Sequence, residues 1–232
     1  MKIKIVNIAL LLLSFFGTLT VLSVFPDEIP VHFNFYGVAD RWGSKYEMMI
    51  MPVVMVFMLG IWFICDKKYR KEADASGDEK KNAEAKANLK VMDITFTLCS
   101  ILFLVLNAVF LYMSYSQLDS TQVVAFDSMR ITTVLTGIFF VVMGNFLPKA
   151  KKNSMVGFRF PWTQYNDVTW TKCNRFAGYV MVICGLLTAI GGLILGEIGA
   201  SVLLMVTVFG SLIVMLIYAY LVYNDEKKKS GK

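Results

Sequence analysis

Ile198-Gly-Ala-Ser-Val-Leu-Leu-Met-Val-Thr-Val-Phe-Gly-Ser-Leu-Ile-Val-Met-Leu-Ile-Tyr-Ala-Tyr-Leu-Val-Tyr223 contains no charged side chain. At about 1.5 Å rise per residue, a helix over this run outspans the roughly 30 Å hydrocarbon core of a bilayer. Without water its backbone must satisfy itself, so the run is read as a helix and not as an open strand. Five further runs have the same character: Ile5 to Phe25, Met48 to Cys65, Ile94 to Ser116, Met129 to Leu147 and Phe176 to Leu195. None carries Asp, Glu, Lys or His in its interior, and Arg130 stands only at the start of the fourth, where a long side chain reaches the interface. The 232 residues are 56% hydrophobic, more than one soluble core of this size needs. The expected fold is an all-α integral membrane protein with six transmembrane helices.

Orientation follows from the basic residues, which are retained on the cytoplasmic side. With the N-terminus inside, the inside segments hold Lys2 and Lys4, the eight from Lys67 to Lys90, the six from Lys149 to Arg175, and the four from Lys227 to Lys232. These make up 20 of the 23 lysines and arginines; only Arg41, Lys45 and Arg130 fall outside. The expectation is N-in and C-in. A cleaved signal peptide is the competing reading of the first run, but its apolar stretch is long and no small-residue cleavage site precedes Pro26. The basic residues behind the net charge of +6 lie mainly in the inside loops, facing anionic lipid, and do not suggest direct nucleic-acid binding.

The chain divides into a two-helix unit over 1–65 with an extracytoplasmic loop at 26–47, a charged cytoplasmic linker over 66–93 acting as a hinge, a four-helix unit over 94–223, and a basic tail over 224–232. Glu79 to Lys90 favours a solvated helix leading into the third span. Gln117 to Ser128 is a short outside connection, and Gly196-Glu197-Ile198-Gly199 turns the last two helices into a hairpin. Thr188, Gly192 and Gly196 form a small-residue ridge against which another helix can pack, in this chain or in another copy. Cys65, Cys99, Cys173 and Cys184 lie outside the external loops and match no zinc spacing, so neither a disulfide nor a metal is expected.

Two segments are dense in uncommon residues. Outside, Pro26 to Lys45 holds Ile29-Pro30, His32-Phe33-Asn34, Gly37, Asp40 and Trp42-Gly43-Ser44-Lys45, with Val31 to Phe35 alternating as a short strand. Inside, Gly144 to Gly178 holds Gly144-Asn145, Pro148-Lys149, Asn153, Gly157, Arg159, Pro161-Trp162-Thr163, Trp170, Arg175 and Gly178. The inside set resembles the C-terminal signature of the SdpI family, bacterial membrane proteins named for an immunity protein against a secreted peptide toxin. The outside set resembles that family's N-terminal domain of unknown function. The resemblance implies a multi-pass protein of the bacterial cell membrane that protects its producer from a secreted toxin peptide. It also implies a receptor role, holding a cytoplasmic transcriptional repressor at the membrane.

The residues themselves support binding more than chemistry. The inside segment has no His, Glu or nucleophile pair for acid-base or covalent work, so no enzyme and no cofactor are expected. Pro161 pushes Phe160 to an extended conformation, Asn166 is placed to cap a helix beginning at Asp167, and Trp170 is expected to face the interface. The segment is either an anchor between two helices or a docking surface for lipid headgroups or a protein, with Asn145, Asn153, Arg159, Pro161, Trp162, Thr163, Trp170 and Arg175 as candidates. Pro30, His32, Asn34, Asp40, Trp42 and Lys45 are the candidates for peptide contact outside, against a purely structural cap. One histidine with scattered carboxylates is weak ground for a metal. A transporter or channel is the alternative class, disfavoured because Asn7, Ser14, Ser100, Asn107 and a few threonines are the only polar groups within the spans.

Overall fold

The computed structural model describes residues 2–34, 36–75, 78–118 and 128–231. The external connection expected after Gln117 and the Ser76-Gly77 break in the linker lie largely outside these residues. Six helices are long and apolar enough to cross a membrane. They are α1 (Lys2–Val24), α2 (Ile50–Ala75), α3 (Glu79–Ser116), α4 (Ser128–Phe146), α5 (Asp167–Ile194) and α6 (Glu197–Lys229). Between α1 and α2 come β1 (Glu28–Phe33), β2 (Ala39–Ser44) and a 3-10 turn over Lys45–Met49, and a second 3-10 turn over Leu147–Lys149 follows α4. All six expected spans are helical, in a multi-pass membrane protein.

Much of the charged linker is helical. Residues 66–75 continue α2 and residues 79–93 open α3, so the two helices run past their apolar stretches as a charged pair. Asp78 starts α3 by accepting the backbone N–H groups of Lys80 and Lys81. With 38 residues, α3 is about 57 Å long, nearly twice the hydrocarbon thickness. Its first half packs on α2: Leu59, Trp62, Cys65 and Tyr69 meet Leu89, Met92 and Phe96 in one buried cluster. The first half of the third helix therefore packs on the second across residue 93.

A polar seam joins α1 to α3. Thr97 donates to Asn7 Oδ1 at 2.9 Å, and the Asn107 amide donates to Thr18 Oγ1 at 2.7 Å. Asn7 and Thr18 are 1% exposed and Asn107 is 3% exposed. In hydrocarbon a polar group pairs within the protein or stays unpaired, so this interface has a defined register. At the end of the seam near the chain start, buried Asp66 is held between Lys4 and Arg70, and Trp62 Nε1 donates to Asp93 at 3.1 Å.

The second half of the bundle is packed through glycines. Gly137 faces Gly185 and Gly144 faces Gly178 across the α4–α5 crossing. A methyl group at Gly137 would lie 2.4 Å from Ala189 N, and one at Gly144 would lie 2.7 Å from Gly178 O. The small-residue ridge finds its partners in this chain for two of its three members. Gly192 sits against Thr133 and Val134 of α4, and Thr188 donates to Thr207 of α6 at 2.8 Å. Gly196 is the exception: it caps α6 and has open space around it.

Gly137→Val is expected to lower unfolding stability in detergent by about 1–3 kcal/mol, because backbone atoms cannot yield to the added carbons. Gly210→Ala, at a helical glycine with nothing within 4 Å, is expected to be neutral or stabilising by about 0.5–1 kcal/mol. Thermal unfolding of the two variants side by side checks the pair.

Candidate functional site

At one end of the bundle β1 and β2 form an antiparallel hairpin with Glu28 opposite Ser44, Pro30 opposite Trp42 and Phe33 opposite Ala39. The expected strand at Val31 to Phe35 begins earlier and ends at Phe33; Phe35 lies outside the described residues. The second strand escaped the sequence reading because Ala39-Asp-Arg-Trp-Gly-Ser44 has no apolar alternation, and its burial is correspondingly shallow. The register shifts on either side of His32, which bends the strand.

The turn is built by Asn34. Its Oδ1 accepts the N–H groups of Tyr36 and Val38, and its carbonyl accepts the Gly37 N–H. Gly37 has φ +68°, a conformation that favours glycine. Two side chains at the end of α3 clamp this hairpin to the bundle. Gln117 donates to Gly37 O at 2.8 Å and accepts Ala39 N–H at 2.7 Å, while Ser114 donates to Pro30 O at 2.7 Å. Neither Ser114 nor Gln117 was singled out from the sequence; Ser114 reads as the polar end of an apolar run and Gln117 as the start of the outside connection.

The six hairpin candidates thus fall into two groups. Pro30 is buried beside Ile29, Asn34 shapes the turn, and Lys45 donates to Phe25 O at 3.0 Å while pairing with Asp27 at 3.1 Å. These three hold the hairpin in place. His32, Asp40 and Trp42 are at the surface, and His32 Nδ1 lies 2.5 Å from Asp40 Oδ1. Tyr36, Val38 and Tyr46 are exposed on the same element and give it an apolar, aromatic surface.

At the opposite end, residues 150–166 fold into a plate between α4 and α5. Asn153 organises it with five hydrogen bonds: Oδ1 accepts from Met155 N, Val156 N and Tyr69 Oη, and Nδ2 donates to Lys151 O and Val156 O. Asn88 of α3 accepts Lys151 N–H at 2.8 Å, tying the plate to the third helix. Asn166 caps α5 through a reciprocal capping box with Thr169. Thr163 is fully buried and closes the Phe160-Pro161-Trp162 turn by accepting Phe160 N–H at 3.0 Å.

Trp170 does not face the interface as expected. It is 2% exposed, with Nε1 donating to Ala150 O at 2.8 Å, because the plate folds over it and satisfies its N–H. Gly157, at φ +122°, packs against the Trp170 ring, where a methyl group would come within 2.8 Å. Asn174 accepts Phe158 N–H at 2.7 Å from the next turn of α5. Of the eight candidates here, Asn153, Thr163 and Trp170 therefore support the plate from within. Asn145, Arg159, Pro161 and Arg175 are exposed, and Trp162 is half-buried in an edge-on contact with Tyr220 of α6. Beside the plate a cleft of about 460 Å³ is lined by Tyr69, Glu72, Lys81, Asn88, Lys152 and Asn153, among others. Tyr69 and Asn88 were missed because they stand in the charged segment read as a solvated linker. Their signal is the neutral side chain on the packed face of a helix otherwise full of Lys and Glu.

Residues 149–220 match the family model described as the SdpI/YfhL protein family, and residues 9–56 match that of a domain of unknown function, DUF1648. The two matches take in the plate with α5 and most of α6, and α1 with the hairpin and the start of α2. The whole chain aligns, at 25% identity over 235 residues and 99% of the relative's length, with the "Immunity protein SdpI" of Bacillus subtilis (strain 168). No solved structure matches.

Asn153→Ala is expected to loosen the plate while leaving the helices formed, since four bonds within the plate and its one tie to Tyr69 disappear and no backbone bond of a helix is lost. Limited trypsin digestion should then cut faster at Lys151, Lys152 and Arg159, with unchanged far-ultraviolet circular dichroism. Cleavage at the wild-type rate would show that the plate is held by its apolar contacts alone.

Proposed function

We propose that the chain is a cell-membrane immunity protein of the SdpI family: it meets a secreted peptide toxin at the hairpin end and docks a cytoplasmic repressor at the plate end. The observation that carries this reading is the pairing of two built surfaces at opposite ends of one bundle. The hairpin is clamped by α3 through Ser114 and Gln117, and the plate is clamped by the same helix through Asn88. A cap that merely covered the helices would need no such fastening to a common element. The full-length likeness to an immunity protein supports the toxin side of the reading.

The charge distribution supports placing the plate, the α2–α3 extension and the tail in the cytoplasm, and the hairpin outside. At the hairpin, exposed His32, Asp40 and Trp42 are positioned to contact a peptide. At the plate, Arg159 and Trp162 present a guanidinium and an aromatic ring beside one another in sequence, a combination suited to a protein or phosphate partner.

Topology is tested by reporter fusions: those after Asp74 and Lys228 should read cytoplasmic and one after Tyr36 external. An external reading at Asp74 would overturn the placement. Function is tested by expressing variants in a toxin-sensitive host and scoring survival and repressor localisation separately. His32→Ala with Asp40→Ala is expected to reduce protection about tenfold or more with insertion intact, whereas Arg159→Ala should disperse the repressor and spare survival. Absence of protection by the wild-type protein against every candidate peptide would remove the immunity reading.

A further inference from the structure

A cavity of about 550 Å³ opens beneath the hairpin and runs down between the 3-10 turn, the start of α2 and α3. Its volume falls within the roughly 300–1,000 Å³ typical of ligand sites. His32, Arg41 and Glu47 line it at the hairpin, and Met48, Met51 and Phe110 supply apolar wall. Asn107 also lines it, 3% exposed and well inside the apolar part of α3.

The orientation of the Asn107 amide is fixed by its neighbour. Thr18 gives its one hydroxyl hydrogen to Ser14 O at 2.6 Å, so toward Asn107 it can only accept. The 2.7 Å contact is therefore made by Nδ2, and the carbonyl oxygen Oδ1 accepts no hydrogen bond among the described residues. Asn107 is buried as a residue, but its amide oxygen opens on the largely apolar cavity and is placed to accept from a donor brought in by whatever fills it. A lipid acyl chain has none. A peptide has one at nearly every residue, together with apolar side chains to meet methionine, a side chain that adapts to many shapes. At the mouth Arg41 pairs with Glu47 at 2.8 Å and the Asp40 carboxylate is engaged by the His32 ring, so the entrance favours a neutral segment.

We infer that this cavity seats a short, neutral, apolar peptide segment, one of whose backbone N–H groups donates to Asn107 Oδ1. The inference rests on the proposed function and deepens it by naming where the toxin side is read. The hairpin is then the upper lip of the site, and its specificity lies partly in α3.

The test uses the full chain in lipid nanodiscs with Met51→Cys, in a background whose native cysteines are replaced, as a reporter for maleimide labelling. The probe is a synthetic peptide of leucine, phenylalanine and glycine, compared with the same peptide N-methylated throughout its backbone, which keeps the apolar side chains and lacks donors. The plain peptide should slow labelling at concentrations at least tenfold lower than the methylated one. Asn107→Leu should erase that difference, and Met48→Trp, which leaves the amide intact and crowds the wall, should weaken the plain peptide about tenfold. Both variants are first checked for wild-type thermal unfolding; if Asn107→Leu fails that check, Met48→Trp and the comparison of the two peptides on unaltered Asn107 decide. Equal protection by the two peptides, as an acyl-chain-like site would give, overturns the inference, and so does protection by neither. Because survival is scored separately, loss of the immunity reading leaves peptide binding here unchanged, while failure to bind with protection intact removes only this site.

Discussion

Hydrocarbon offers no hydrogen bonds, and the arrangement of this protein follows from how it meets that constraint. Each polar side chain placed between α1 and α3 fixes the relative height of the two helices, because sliding by one turn would strand both members of every pair. Asn7 with Thr97 and Asn107 with Thr18 set that height at two levels. Lys4 with Asp66 sets α2 against α1 at the plate end. The hairpin inherits its position from this alignment, since β1 follows α1 directly and is gripped by the far end of α3.

The other half of the bundle solves its packing by a different route. Between α4 and α5 there are few polar contacts, and glycines bring the backbones close enough for dispersion to hold them. Arg130 closes the hairpin-side end of this crossing by donating to Gly192 O and Leu193 O, the last carbonyls of α5. Its charge is thus spent at a helix C-terminus, where the macrodipole favours it.

The six spans were legible because a charge-free run of about twenty residues has few interpretations, and the cap at Asn166 was legible because side chain, helix start and acidic first turn coincide. The plate and hairpin were legible only as dense lists of residues. Which members point inward depends on tertiary neighbours that lie elsewhere in the chain: Trp170 is buried because Ala150 offers it a carbonyl, and Asn153 is consumed by Tyr69. Asp66 was misread for the same reason. In sequence it begins a charged stretch, and in space it is 2% exposed between two cations.

The unbroken length of α3 has a mechanical meaning. Asn88 and Gln117 stand 29 residues apart on one helix with no proline or glycine between them, about 44 Å along the axis. A rod of that kind has no joint in which to absorb a push or a twist. The helix that Gln117 ties to the hairpin is thus continuous with the turn from which Asn88 holds the backbone at Lys151.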